Sequence, residues 1–347
     1  MTALLAAEVR RMWSRHLVRI VAGLALLGIL IVPLVAPPYQ TLLMLPFMAY
    51  AVILLGLNLL FGYTGLLSFG HALFMGVGAY AGAFLTHRFG VRSLEIILLV
   101  AAVLGAVIAA PVAALCVRYV KIYFGMLTLA FGMVFYTFVL KFYKLTGGDE
   151  GMPFLRPRLL GLDLGAMPKT DYLVGPYYYY CVVVLVLATA CMWRIVHSPF
   201  GLCLRTIRDN PVKAEALGIS VPRYRWHAFM ISAVYTAIGG ALLGPPTGNV
   251  DPTLAYWTHS GNLVFMTLLG GFSHFFGPLL GAFVFIYLQD FVMSITPYWR
   301  LIFGAILALI VIFAPNGLMG LLARGRTTTE TSHTYGTPPT RIAAPGA

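Results

Sequence analysis

The side chains that could perform catalysis are few and scattered along the sequence. Histidines in or beside apolar stretches are His71, His227, His259 and His274. No two of them have metal-ligand spacing on one helix, and no metal site is expected. The Asp149-Glu150 pair is better explained by a solvated loop than by acid–base chemistry. Since the sequence also has no nucleophile elbow and no GxxxxGK[ST] phosphate loop, we expect no catalytic residue and no ATP hydrolysis by this chain.

A short polar segment at 205–225 stands between two long apolar stretches. Asp209 and Asn210 are residue types that accept the free N–H groups of a first helical turn, and Pro211 suits the first helical position. Gly218 fits the left-handed conformation that ends a helix. The pattern predicts one or two helical turns that neighbouring elements must hold. It is compatible with a plain connector between spans and with a docking helix for a cytoplasmic partner.

A second unusual stretch runs from Gly56 to Gly82 and is rich in glycine. Gly78 and Gly82 have the spacing of a close helix contact in a membrane. The segment Gly62–Gly65 interrupts the apolar run, so its backbone groups need partners in protein or cavity water. Polar side chains in such a place usually face a bundle interior or a water path. The residues predicted to border a translocation pathway are Asn58, Gly62, Thr64, Gly65, Ser68 and His71. Tight packing alone would also explain most of the glycines.

Composition indicates an all-α polytopic membrane protein. Of 347 residues, 60% are hydrophobic and only 10% are charged, whereas a soluble domain has about 25% charged residues. The apolar runs are near 20 residues long and do not alternate, which favours helices over a β-barrel. The net charge of +12 comes from basic residues in loops beside apolar runs, where they orient a membrane protein. We therefore expect contact with lipid and not with nucleic acid.

The apolar runs predict about ten transmembrane helices or half-helices. They lie at about 19–36, 41–61, 70–86, 94–116, 122–142, 177–195, 226–244, 260–271, 278–293 and 299–314. The run at 260–271 is short and suits a half-span. Pro245-Pro246 is expected to shape an outer loop.

The predicted organisation has three parts. Residues 1–18 form a cytoplasmic basic amino-terminal segment, residues 19–318 a transmembrane domain, and residues 319–347 a disordered cytoplasmic tail. Basic residues dominate the loop 197–225, which places it in the cytoplasm with both termini, while the loop 143–176 lies outside.

Several motifs resemble one family of transport proteins. The run Ala214-Glu215-Ala216-Leu217-Gly218 resembles the Glu-Ala-Ala…Gly loop of ABC importer permeases, although Leu217 stands where the general motif has its second Ala. With Arg205-x-x-Arg208-Asp209-Asn210-Pro211, the segment resembles the LivM-type permeases of branched-chain amino acid importers. The glycine stretch resembles that family's Gly-Leu-Asn-Leu…Gly-x-x-Gly-x-x-Ser-x-Gly-His run. Further similar runs lie at 123–130, 146–149 and 269–281, so the resemblance covers about 56–318.

The resemblance implies roles for the polar segment and for other proteins. The family's loop helix sits in a cleft of a separate ATPase. The residues that this assigns to ATPase coupling are Arg205, Arg208, Asp209, Asn210, Pro211, Ala214, Glu215, Ala216, Leu217 and Gly218. The resemblance also implies the type II importer fold, a second homologous permease, two ABC ATPase subunits and an extracytoplasmic solute-binding protein. ATP and Mg²⁺ then belong to the ATPase, and this chain needs no cofactor.

The expected function is that of a permease subunit for branched-chain or related hydrophobic amino acids in a bacterial or archaeal cytoplasmic (inner) membrane. A urea or short-amide importer of the same family is an alternative. A self-sufficient secondary transporter or channel for a small polar solute is another, but it would need coupling-ion residues near the midplane, where acidic residues are nearly absent. A purely structural scaffold would leave the capped segment and the broken glycine stretch unexplained.

Overall fold

The computed structural model describes residues 23–324, apart from residues 25, 120–121, 163–164, 166 and 314–316. The predicted amino-terminal segment 1–18 and residues 325–347 of the predicted tail lie outside the described residues. Most of the described chain is helical, as the composition predicts.

The helices follow the predicted apolar runs closely. In chain order they are α1 (Leu26–Val35), α2 (Pro38–Asn58), α3 (His71–Arg88), α4 (Leu94–Cys116), α5 (Ile122–Lys141), α6 (Tyr143–Thr146), α7 (Lys169–Tyr172), α8 (Tyr178–Val196), α9 (Pro199–Asp209), α10 (Pro211–Ala216), α11 (Val221–Thr247), α12 (Trp257–Gly270), α13 (Gly277–Ile295), α14 (Trp299–Phe313) and α15 (Gly317–Arg324). Short π-helical turns continue α2 through Leu59–Tyr63 and join α7 to α8 through Leu173–Tyr177. Single 3₁₀ turns occupy Gly148–Glu150 and Pro252–Ala255.

Six helical segments of the described chain are long and apolar enough to cross a membrane. They are Pro38–Tyr63, Leu94–Cys116, Ile122–Lys141, Lys169–Val196, Val221–Thr247 and Gly277–Ile295. At about 1.5 Å per residue, each extends over roughly the 30 Å thickness of a bilayer core. The polytopic helical class predicted from the sequence is confirmed.

The short helix α12 has 14 residues. Its length of about 21 Å is less than the thickness of the hydrocarbon core, as expected for the half-span predicted at 260–271. The chain turns at 271–276 and returns as α13, which packs along α12. Within this turn Gly271 and Phe275 are buried, while Ser273 is exposed.

Helix α11 lies at the centre of the bundle, where α2, α3 and α4 pack around it. Glycines make these contacts close: a Cβ at Gly78 of α3 would collide with the carbonyl oxygen of Ala237, and one at Gly240 would collide with that of Met75. Small residues let membrane helices approach until their backbones touch. The packing explanation of the glycine stretch is thus correct for Gly78.

A two-stranded antiparallel ribbon covers the end of this core at which α11 terminates. Strand β1 (Met152–Pro153) pairs with β2 (Asn249–Val250), with Met152 opposite Val250. Between these strands and the helices, the buried ring of Phe154 fills the space left by Gly82 and Gly244. The ribbon fixes the long polar loop against the end of α11.

The structure corrects one predicted boundary. Pro245-Pro246 was expected in a loop but lies in the last turn of α11, which continues to Thr247. A proline near a helix end disturbs only the bonds of the final turn. Gly248, which has a positive φ of 75° and donates its N–H to the Gly244 carbonyl at 2.8 Å, ends the helix instead.

The glycine contact in the bundle core gives a stability prediction. Gly78→Ala should destabilise the protein by about 1–3 kcal/mol, because the new methyl group meets backbone atoms that cannot rotate away. Gly304→Ala is the matched control, since a Cβ there would meet nothing within 4 Å. The measurement is the thermal midpoint in detergent. Equal midpoints for the two variants would contradict the close packing of α3 on α11.

Candidate coupling and translocation site

The polar segment folds as two short helices joined at Asn210, whose backbone is extended. Helix α9 ends at Asp209, and the side-chain oxygen of Asn210 accepts the N–H of Lys213 at 3.0 Å to begin α10. Pro211 occupies the first turn of α10. The predicted cap by Asn210 is confirmed. Asp209 does not cap α10: its carboxylate lies 3.2 Å from the Arg208 guanidinium instead.

The end of α10 follows the predicted geometry. Gly218 has a φ of 82°, the left-handed conformation, and donates its N–H to the Glu215 carbonyl at 2.9 Å. Ile219 then donates to the Ala214 carbonyl at 3.0 Å. These bonds partner the last carbonyl groups of α10, as in the common glycine-ended helix.

Flanking helices hold α10 in place, as its six residues require. Ile207 of α9, Ala214 of α10 and Val221 of α11 form a small buried cluster. The opposite side of α10 is open: Val212 and Leu217 are 74% and 75% exposed. Of the predicted coupling residues, Ala214 therefore faces the protein, while Glu215, Ala216, Leu217 and Gly218 face outward.

The interruption at Gly62–Gly65 is the connection between α2 and α3. We call residues 59–70 the α2–α3 connection; it comprises the π-helical turn Leu59–Tyr63 and a non-helical run up to His71. Gly65 has a φ of 75°, and its N–H reaches the Phe61 carbonyl at 3.2 Å. The Thr64 hydroxyl donates to the Leu59 carbonyl at 2.9 Å. The predicted break in the apolar run is present.

His71 at the start of α3 has partners on both ring nitrogens. Its Nδ1 lies 2.9 Å from the Ser68 hydroxyl oxygen, and its Nε2 lies 2.7 Å from that of Ser232 on α11. The ring is buried with both neighbours. This arrangement joins the α2–α3 connection to the central helix and leaves no free nitrogen for a metal. Among the described residues, no group of three His, Cys, Asp or Glu side chains is placed to hold a metal ion.

The polar side chains predicted to border a pathway are enclosed in this structure. Asn58, Thr64, Ser68 and His71 are at most 2% exposed. Asn58 Oδ1 is buried without a hydrogen-bond partner among the described residues. A cavity of about 220 Å³ lies elsewhere, between α3, α4 and α5, and an open groove of about 610 Å³ runs beside α5. The predicted pathway residues line neither space, and their role stays a prediction.

Two sites that the sequence presents as separate are in direct contact. Arg208 of α9 donates from Nη1 to the carbonyl oxygen of Gly62 at 2.6 Å. One turn earlier, the guanidinium carbon of Arg205 lies 5.0 Å from the centre of the Tyr63 ring. The predicted coupling segment therefore touches the predicted break. A cationic side chain is a favourable partner for carbonyl groups at the end of a helix. The two arginines of α9 and the broken helix at Gly62 were therefore the sequence signal that could have suggested this contact.

Two further neighbours of the connection were not anticipated. The Phe69 N–H donates to the Thr128 hydroxyl of α5 at 3.3 Å. The Phe61 ring lies 4.9 Å from that of Phe272, in the turn between α12 and α13. The α2–α3 connection is thus a junction where four parts of the bundle meet.

Comparison with known proteins decides the family. Residues 40–311 match the family described as branched-chain amino acid transport system / permease component. The chain belongs to this family. The match includes the α2–α3 connection and both α9 and α10, so the resemblance inferred from motifs is confirmed. The chain is accordingly a multi-pass membrane permease of the ABC transporter class.

Individual relatives agree with this assignment. The chain is 27% identical over 292 residues to the high-affinity branched-chain amino acid transport system permease protein LivM of Escherichia coli, covering 78% of this chain and 68% of the relative. It is 23% identical over 287 residues to LivH of Salmonella typhimurium, covering 78% and 91%. The guanosine ABC transporter permease protein NupQ of Bacillus subtilis is 26% identical over 163 residues, covering 47% and 50%. No solved structure matches the chain.

The left-handed conformation at Gly218 gives a local prediction. Gly218→Val should loosen α10, because a branched side chain at this φ costs about 1–2 kcal/mol or more. Leu217→Val is the control: it places valine at the adjacent exposed position, where φ is −83°. Hydrogen exchange of residues 211–219, followed by mass spectrometry, should become faster in the Gly218 variant alone. Equal exchange in both variants would show that the glycine is not needed to end α10.

Proposed function

We propose that this chain is the permease subunit of an ATP-driven importer for branched-chain or related hydrophobic amino acids. The observation that carries the proposal is the family match over 40–311, which contains a capped helix α10 with an outward face. The cargo class comes from relatives named as branched-chain amino acid permeases. A related guanosine permease makes nucleosides the second candidate cargo.

In this proposal a separate ATPase supplies the energy. The outward face of α10, with Glu215 between the exposed side chains of Val212 and Leu217, suits a cleft on that partner. An exposed charge such as Glu215 adds modest affinity, and more once the interface excludes water. ATP and Mg²⁺ would bind only to the ATPase subunits. Closure of those subunits would displace α10 and α9. Alternating access follows if the permease has two arrangements that differ in their contacts with the ATPase, so that closure favours one of them.

The proposed complex contains two permeases, two ATPase subunits and an extracytoplasmic binding protein. The resemblance of this chain to both LivM and LivH, two differently named permeases, supports a second homologous permease beside it. Pathway residues would then lie between or within the two permeases. Asn58, with its unpartnered buried oxygen next to Gly62, is a candidate for contact with water on that route.

Uptake by the reconstituted complex tests the function. The complex should accumulate radiolabelled leucine, isoleucine or valine only with ATP and the loaded binding protein. Guanosine and urea serve as competing cargoes in parallel vesicles. A complex in which the phosphate-binding lysine of the ATPase is replaced should show no uptake. ATP-independent uptake would favour a secondary transporter, and accumulation of guanosine or urea alone would replace the proposed cargo.

The proposal also requires that α10 face the cytoplasm, with both termini on the same side. Single cysteines at Lys213 and Arg223, two exposed basic residues, should resist a membrane-impermeant thiol reagent in intact cells. A cysteine at Asp149, in the loop placed outside, is the positive control. Cys191 and Cys203 are replaced by Ala in every variant to remove other accessible thiols. Labelling of position 213 from outside would reverse the orientation.

A further inference from the structure

The side chain of Arg208 joins α9 to the α2–α3 connection. Its Nη1 donates to the Gly62 carbonyl at 2.6 Å, while Nε and Nη2 lie 3.3 Å and 3.2 Å from Oδ1 of Asp209. One planar guanidinium thus binds a backbone oxygen on one side and a carboxylate on the other. Lysine cannot reproduce this, because its ammonium group has no fixed fork of donors. Bonds from a charged donor are roughly twice as strong as neutral ones.

Arg205 reinforces the same connection from the same helix face. Residues three apart on a helix are neighbours, so both arginines of α9 can reach the end of the π-helical turn. The guanidinium of Arg205 stacks over Tyr63 with a carbon-to-centroid distance of 5.0 Å. A cation over an aromatic ring is attracted to its face, most strongly where water is excluded. Two adjacent residues, Gly62 and Tyr63, are therefore held by two separate cations.

Gly65 leaves room for the arginine stem. A Cβ at this position would lie 3.0 Å from Cγ of Arg208, and the φ of 75° already disfavours other residues. The sequence feature predicted as part of a pathway therefore also accommodates a side chain from the predicted coupling segment. The contact between Gly65 and Arg208 thus joins the predicted pathway segment to the predicted coupling segment.

The connection can pass a displacement onward because it touches three other elements. Phe61 packs on Phe272 in the α12–α13 turn, and Phe69 bonds to Thr128 of α5. Ser68 bonds to His71 at the start of α3, which in turn bonds to Ser232 of α11. The connection is thus held to α9 on one side and to the bundle on the other. A continuous series of contacts therefore runs from α9 through the connection to α5 and, by way of His71, to α11.

We propose that Arg208 and Arg205 are positioning residues of the transport cycle, which bind the α2–α3 connection to α9 so that displacement of α9 moves Gly62–Gly65 directly. This inference rests on the proposed function. It changes the role assigned to both arginines: they act within the permease and not in the cleft of the ATPase. The exposed face for the ATPase is formed by α10.

The test compares four variants in complexes with normal partners. Arg208→Gln and Arg208→Lys remove the forked contact, Arg205→Gln removes the stacking cation, and Arg194→Gln is the control. Arg194 is an exposed basic residue at the end of α8, outside the coupling segment. Three quantities are measured: ATPase retained on purification, ATP hydrolysis stimulated by the loaded binding protein, and cargo uptake. Wild-type uptake in the same vesicles tests the proposed function separately.

The proposal predicts loss of coupling without loss of assembly. In Arg208→Gln, the amount of bound ATPase should stay at the level of the control, while cargo taken up per ATP hydrolysed should fall about tenfold or more, as expected when one charge-assisted bond is removed. Arg208→Lys should be intermediate. A loss of bound ATPase in proportion to uptake would mean that the arginines dock the ATPase. An unchanged ratio of uptake to hydrolysis would also overturn the proposal.

A second measurement does not depend on transport. Gly65 and Leu66 donate their N–H groups to the Phe61 and Leu60 carbonyls, so their exchange with deuterium reports on the order of the connection. In purified Arg208→Gln protein, exchange of residues 59–70 should become faster while that of 211–217 stays unchanged. Equal exchange in this variant and in Arg194→Gln would show that the contact does not hold the connection. Faster exchange throughout the protein would indicate general unfolding and would count against a specific role.

Double substitution separates the Arg205 contact from a general charge effect. Tyr63→Leu removes the ring and Arg205→Gln removes the cation. If the two side chains act together, the double variant should lose no more coupling than the stronger single variant. Additive losses would mean that they act independently, which would contradict the proposed connection at Tyr63.

Discussion

Buried backbone groups in the connection between α2 and α3 need hydrogen-bond partners, and this requirement shapes one whole end of the bundle. An unpartnered buried donor or acceptor costs about 1–3 kcal/mol. The helix ladder ends in the π-helical turn Leu59–Tyr63, so partners have to come from elsewhere. The Gly62 carbonyl accepts a hydrogen bond from the Arg208 guanidinium of α9, and the Phe69 N–H donates to the hydroxyl of Thr128. Each partner lies on a different element, which draws those elements together.

The same requirement explains why glycines concentrate here. At Gly70 a Cβ would collide with the Thr128 carbonyl, and at Gly62 it would collide with both the Asn58 side chain and the Phe272 carbonyl. Close backbone approach lets one short connection contact α5 and the α12–α13 turn at once. The glycines therefore serve packing and position a polar backbone in the same place. The packing and functional interpretations of the sequence are compatible for this stretch.

Local signals carried most of what the sequence could predict. Hydrophobic runs of spanning length located the long helices, and the Asn210 and Gly218 signals located both ends of α10, because caps depend on residues within one turn. The contact between Arg208 and Gly62 joins residues 146 positions apart, and no periodicity or spacing encodes such a distance. Pro245-Pro246 was wrongly predicted to lie in a loop, because tertiary packing again overrides the local signal. The helices packed around α11 keep this turn helical, whereas the two prolines on their own would favour a loop.

Helices α10 and α9 are suited to move together because a buried cluster connects them. Ala214 of α10 packs with Ile207 of α9, whose neighbour Arg208 holds Gly62. Two contacts, Ala214 with Ile207 and Arg208 with Gly62, thus connect α10 to the interior of the bundle. Packed side chains, hydrogen bonds and rigid helices are the parts of a protein that can carry a displacement from one site to another. The capped helix α10, the packing of Ala214 on Ile207 and the bond from Arg208 to Gly62 supply these parts in one continuous series, which ends where α2 gives way to α3.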